Sequence, residues 1–327
     1  MENKGLSVII CCYNGAERLP ETIKHIALQD VPSKISWELI IVNNNSTDNT
    51  AEVALSETLK YTSLSTRYKI VNEPNAGLSH ARHKGVAVSK YEHIIFCDDD
   101  NWLGENYLTT AYEILSGDEK IAAVGGQSEA VSDISFPDWW EDYKGGYAVG
   151  KQAETTGDVS YRKFLWGSGL AFKKKLFLHA FNKLPSLLSD RKGNELTSGG
   201  DSEICMRFLL MGYKLYYSEA LTFKHYIEPF RLSWSYRKNL FDGFEKSKYI
   251  LNIYVKAITI ERYSNKEKCF LFVKSLLKVL IAKLLNRSRF YSNAEADQIY
   301  LISGFKLEKT SNCAKEIRSL INGLALK

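Results

Sequence analysis

With 327 residues, 45% hydrophobic and 25% charged, the chain can bury a large core and has an ordinary globular balance, which excludes a disordered or fibrous protein. The net charge of +5 is unevenly spread: residues 1–235 hold 25 basic and 30 acidic side chains, residues 236–327 hold 18 and 8. The acidic first part argues against a nucleic-acid surface, and the basic last part reads either as a surface for an anionic partner, such as a membrane or phosphorylated lipid, or as a solvated basic helix face.

In chain order, the apolar run 6–12 predicts a strand and 16–29 has helical spacing through Leu19, Ile23, Ile26 and Ala27. A second buried-strand run covers 38–42, and Ser46-Thr47-Asp48 offers capping side chains before a helix over 51–59. Strands over 68–71 and 93–97 flank a helix over 77–89, giving a β-α-β-α-β-α-β order. That order predicts a mostly parallel sheet flanked by helices, with ligands at the carboxyl ends of the strands. The ends read Tyr13-Asn14-Gly15, Asn43-Asn44-Asn45, Asn72-Glu73-Pro74-Asn75 and Asp98-Asp99-Asp100, and these four tips should converge. A strand over 122–126 is followed by an irregular aromatic stretch from Phe136 to Trp166, a helix near 201–211 and strand-like 214–218 and 221–225. From residue 236 the chain reads as mainly helical, so the predicted division is a catalytic domain over 1–235 and a basic helical region over 236–327.

No secretory signal is apparent at the polar Met1-Glu2-Asn3-Lys4 start, and the six cysteines, which lack any Cys-x-x-Cys pair, read as buried thiols. Both point to a cytosolic domain. Residues 269–285 are the best membrane candidate, but Lys274, Lys278 and Lys283 interrupt them and exclude a span. Lys266, Lys268, Arg287 and Arg289 at the flanks would suit a helix lying among lipid headgroups, although a Leu-rich helix by default packs on the catalytic domain.

Asp98-Asp99-Asp100 at a strand end concentrates negative charge that something cationic must offset. Hard divalent cations take carboxylate oxygens and are completed by phosphates, although a solvated acidic turn would read the same way in isolation.

Four segments in register resemble the inverting glycosyltransferases of family 2, which have the GT-A fold. Ser7-Val8-Ile9-Ile10-Cys11-Cys12-Tyr13-Asn14 is similar to the opening strand and nucleotide loop, and 38–50 to the second strand and turn. Asn75-Ala76-Gly77-Leu78-Ser79-His80-Ala81-Arg82 resembles the next helix start, and Asp98-Asp99-Asp100 the Asp-x-Asp metal motif. Farther on, Gly167-Ser168-Gly169 and Gly199-Gly200-Asp201-Ser202-Glu203 resemble the acceptor-side segment and the motif carrying the general base, so the likeness covers roughly 5–230.

The resemblance implies a nucleoside-diphosphate-sugar donor, a saccharide or lipid-linked hydroxyl acceptor, and a role in surface polysaccharide, lipopolysaccharide or glycolipid synthesis at the cytosolic side of a bacterial membrane. It implies Asp201 as catalytic base and Mg²⁺ or Mn²⁺ held by Asp98, Asp100 and His225. Cys12, Tyr13, Asn14, Asn44, Arg82, Asp98 and Asp99 are expected around the nucleotide-sugar, with Arg231 a weaker phosphate candidate. Asn14 and Asn44 are expected to read the base. Asparagine stands at 43 and 44 where the family usually has an acid, which leaves uracil, thymine and guanine open.

Trp139, Trp140, Trp166 and Gly167 are expected on the acceptor side, with Trp139 and Trp140 exposed. A non-catalytic nucleotide-sugar-binding module would share the tips but not need Asp201. The missing Gly-x-Gly-x-x-Gly argues against a dinucleotide oxidoreductase.

Overall fold

The computed structural model describes residues 3–188, 191, 198–284 and 293–324. Strands β1 (Asn3–Cys12), β2 (Trp37–Asn43), β3 (Tyr68–Asn72) and β4 (Tyr91–Asp98) run parallel in the order β3-β2-β1-β4. Their side chains alternate between two cores, as a period of two requires. Val8, Ile10, Ile95 and Cys97 face helices α1 (Leu19–Ala27), α2 (Thr50–Leu59) and α4 (Tyr107–Gly117). Ile9, Ile94 and Phe96 face the side that carries α3 (Leu78–Val88), α6 (Lys174–Lys183) and α7 (Gly200–Leu210). Burial on both faces explains why β1, β2 and β4 are continuous apolar runs, whereas the edge strand β3 is only partly buried.

Beyond β4 the sheet is mixed, which narrows the mostly parallel expectation to the first half. The order continues through β8 (Ala171–Lys173), β6 (Ile121–Val131), β9 (Lys214–Tyr226) and β5 (Asn101–Leu103), with the two-residue β7 (Gly157–Asp158) also on β9. β8 is antiparallel to both β4 and β6, whereas β6 and β9 are parallel. The two strands expected over 214–225 are one strand carrying an irregularity, because the pairing steps from Gly125–Tyr217 to Gln127–Thr222. Gly126 accommodates the extra residues, since a Cβ there would lie 1.8 Å from the Leu221 carbonyl oxygen.

The last third is helical: α8 (Trp234–Arg262), α9 (Asn265–Leu284), α10 (Asn293–Ser303) and α11 (Asn312–Leu324). α8 starts before residue 236, and its Ile253, Tyr254 and Ile258 share one core with Ile204 and Phe208 of α7. Among the described residues no helix is long and apolar enough to cross a membrane. Arg287 and Arg289 lie outside the described residues. Cys12, Cys97 and Cys205 are buried but Cys269 is exposed, which corrects the expectation that all six thiols are buried. Position 269 falls on the outward face of α9.

Candidate active site

The ends of the parallel strands open into a cleft of about 820 Å³ lined by residues of the first, second and fourth tips and, after the third tip, by Ala76 and Gly77. Asn14 and Asn45 have φ of +48° and +56°, the left-handed region that asparagine tolerates better than most residues. Asn14 accepts from Thr47 N at 2.8 Å, while its own N–H donates to Ser46 Oγ at 3.0 Å, so the first tip is stitched to the second. Asn44 donates to the Glu73 and Asn75 carbonyls at 3.1 and 2.7 Å and accepts from Gly77 N at 2.8 Å. Both amide hydrogens are thereby used joining the second tip to the third, which leaves Asn44, bordering the cleft, only the second lone pair of its oxygen to offer a base.

The three aspartates point three ways. Asp98 accepts from Ser168 Oγ at 2.7 Å and borders the cleft. Asp99 turns toward α1 and takes Arg18 Nη2 at 2.9 Å and Nε at 3.2 Å, and Arg18 also reaches Glu228 at 3.2 Å. The absence of a side chain at Gly15 makes this pair fit, since a Cβ there would lie 2.2 Å from Asp99 Oδ2. Asp100 turns the other way, toward Arg231 Nη1 at 2.7 Å and His225 Nε2 at 3.3 Å. The antiparallel register of β5 on β9, which sets Asn101 opposite His225, brings the histidine there.

These surroundings split neighbouring carboxyls. Burial pushes Asp99 up to about 6 against the pull of Arg18. Burial acts on Asp100 in the same sense, but His225, Arg231 and Arg18 outweigh it and hold its carboxyl well below the usual range.

Two carboxylates and an imidazole are a suitable donor set for Mg²⁺ or Mn²⁺, and Asp100 already faces His225, whose buried Nδ1 finds no hydrogen-bond partner among the described residues. As they stand, no three potential ligands among the described residues cluster at one point, and Arg231 occupies the Asp100 oxygen that faces the imidazole.

Asp201 is the second residue of α7, and Gly199 before it has φ +122°. Its Oδ2 accepts from Gly167 N at 2.8 Å and its Oδ1 from Ser202 N at 2.8 Å. Gly167 and Ser168 are adjacent, so one dipeptide holds Asp201 by a backbone N–H and Asp98 by a hydroxyl. Arg82 is buried in the cleft wall with its guanidinium 5.0 Å from the Phe96 ring centre.

Cys12, Tyr13, Trp166 and Gly167 also border the cleft; Trp139 and Trp140 do not. At 9% and 4% exposure these two tryptophans are packed with Tyr147, Leu232 and Leu240 beneath the start of α8, which corrects the expectation that they are exposed acceptor contacts. Five consecutive aromatic and acidic residues read as surface, but the rings stack on Phe136 and Tyr147 instead.

Sequence reasoning missed Arg18, Glu228 and the α8 wall of Tyr236, Asn239, Phe244, Ser247 and Leu251, and took Ser168 only as part of an acceptor-side segment, not as the partner of Asp98. The need for a cation beside three aspartates was a usable signal for Arg18, four residues after a tip asparagine. Arg231 was foreseen for phosphate; it holds Asp100.

The family model for glycosyl transferase family 2 matches residues 7–177. A cholesterol galactosyltransferase of Borreliella burgdorferi is 33% identical over 113 residues, 35% of this chain and 30% of that protein. Glycosyltransferase AglE of Haloferax volcanii is 26% identical over 227 residues, 69% of this chain and 68% of its own. The matches with several curated relatives span less than a third of those proteins, 30%, 29% and 28% of their lengths. The fold is similar to that of Staphylococcus aureus TarS residues 1–349, solved in complex with UDP-GlcNAc, with a TM-score of 0.56 at 17% identity over 98% of this chain and 84% of that one. With its family motifs gathered on the strand tips of a GT-A-like sheet and the model match covering more than half its length, the chain belongs to glycosyl transferase family 2.

Proposed function

We propose that the chain is an inverting glycosyltransferase that moves a sugar from a nucleoside-diphosphate sugar to a hydroxyl of a saccharide or lipid-linked acceptor. The observation that carries this reading is the Gly167-Ser168 dipeptide, which holds Asp201 and Asp98 on one side of the cleft at 2.8 and 2.7 Å. Asp201 takes the proton from the acceptor hydroxyl while that oxygen bonds to the anomeric carbon. The bond from that carbon to the diphosphate oxygen breaks, and the nucleoside diphosphate leaves from the opposite face.

An acceptor hydroxyl is a poor nucleophile, so holding it against the carboxylate supplies much of the rate. Asp98 borders the donor. Asp100 and His225 would hold Mg²⁺ or Mn²⁺, which when bound offsets charge on the diphosphate. Arg82, Tyr13, Trp166 and the α8 wall all line the cleft; we assign the first two to the donor and the others to the acceptor. Synthesis of a surface polysaccharide or glycolipid at the inner face of a bacterial membrane suits such an acceptor.

Asp201→Asn keeps the side chain's shape and, with its one amide oxygen toward Gly167 N, that contact at the expense of the Ser202 one, but it cannot accept the proton. Transfer should fall by about 10²–10⁴ while donor affinity, measured by thermal stabilisation with UDP-, GDP- and dTDP-sugars, changes little. Transfer at the unaltered rate would remove Asp201 from the base role.

A further inference from the structure

α9 presents apolar side chains outward. It begins at a capping box in which Ser264 N donates to Glu267 Oε2 at 2.8 Å and Glu267 N donates back to Ser264 Oγ at 3.4 Å. One face, with Ser275, Val279 and Ala282, is buried against α10 and the Ile299 cluster. The opposite face carries Phe270, Val273, Leu277, Leu280, Ile281 and Leu284, all exposed, with Phe270 at 68% and Leu284 at 85%. Their spacing of three and four residues makes a single stripe along the helix. Isolated exposed apolar residues need no explanation, but six in one stripe do.

Charge decides between occupants. Residues 236–327 hold 18 basic and 8 acidic side chains, an excess of ten positive charges, and exposed Lys266 and Lys274 border the stripe itself. A second copy would bring two such regions together against their mutual repulsion, whereas an anionic surface is attracted to both. Lysine stems lie along apolar surface with the ammonium in the headgroup layer, so stripe and lysines suit one boundary between water and hydrocarbon.

We propose that α9 is the surface by which the chain docks on anionic lipid bilayers, lying in the plane of the membrane with Phe270, Leu277 and Ile281 turned into the acyl boundary. This rests on the transfer reading only for placing a lipid-linked acceptor nearby.

The test is co-sedimentation of the full chain with vesicles of phosphatidylglycerol and phosphatidylcholine, and with phosphatidylcholine alone. Binding should need the anionic lipid and weaken with salt. Leu277→Asp with Ile281→Asp, and separately Lys266→Glu with Lys274→Glu, should each reduce it at least ~10-fold. All four positions are exposed, so unchanged circular dichroism and donor stabilisation should accompany the loss. If vesicle binding behaves this way while no nucleotide sugar is bound, the transfer reading fails and the docking surface stands. Absence of binding to anionic vesicles, or equal binding by the variants, overturns the proposal. So does light scattering that shows a dimer dissolved by the Leu277 and Ile281 changes, since the stripe would then be a contact between copies.

Discussion

Arg231 reaches Asp100 from 131 residues away, and Arg18 reaches Asp99 from 81. Together they offset two of three adjacent negative charges, leaving Asp98, held by a neutral hydroxyl, as the least compensated of the three. A buried pair is costly to break because the surviving charge has neither water nor partner. Arg231→Met keeps most of the side chain's bulk yet leaves Asp100 with His225 and Asn101 alone, and should lose about 3–5 kcal/mol of unfolding free energy in urea. Adding Asp100→Asn removes the stranded charge and should recover a large part of that loss. Equal losses in the single and double variants would show that the guanidinium acts through packing over the Tyr236 ring, 5.6 Å away, instead of through charge.

At the level of elements, legibility followed burial and locality. β1, β2 and β4 were readable because both faces are covered and each apolar run stops at a polar tip. The tip asparagines were readable as a site, but their part in tying the tips together was not, because Asn44's partners are backbone groups that only the third tip supplies. β8 pairs through three residues, too few to show a period, and α4 went unseen although Leu108, Ala111 and Leu115 mark its buried face. The acid run was legible from local sequence, whereas which arginine meets which carboxylate is set by tertiary contacts 81 and 131 residues apart.

β4 also carries His93, set opposite Lys173 of β8 and edge-on to Tyr112 of α4 at 5.6 Å. Its Nδ1 is buried without a hydrogen-bond partner among the described residues, and burial, followed by Lys173 and Lys175, pushes its pKa down to about 4. The unfolded chain therefore binds this proton near the ordinary 6.5 while the folded one resists it. Stability is full above about 6.5 and is lost as pH falls toward 4, by at most about 3 kcal/mol from this group. His93→Phe should flatten urea midpoints across that window relative to the parent; an unchanged pH slope would assign the acid sensitivity to other groups.

For the whole molecule, the question is whether the basic last third is an appendage. Arg207 and Glu203 of α7 form a fully buried pair at 2.8 Å, and Tyr254 of α8 closes it, donating to Glu203 at 2.9 Å and accepting from Arg207 at 3.1 Å. The same Arg207 takes the Ala180 and Pro185 carbonyls at 2.9 and 2.7 Å, so the helix that begins with Asp201 is anchored on both α6 and α8. Ile253, Ile258, Ile260, Leu301, Ile317 and Leu320 complete that core from the C-terminal helices. Six such side chains at roughly 1.5–3 kcal/mol each contribute on the order of 10 kcal/mol, comparable to the whole stability of an ordinary domain. A chain ending at residue 233 would expose Ile204 and Phe208, strand the Glu203–Arg207 pair without its tyrosine, and lose the α8 wall of the cleft. It should therefore be insoluble or lack a cooperative thermal transition by circular dichroism. A soluble fragment that unfolds cooperatively and still binds a nucleotide sugar would instead make α8 to α11 a separable attachment, and the docking helix with them.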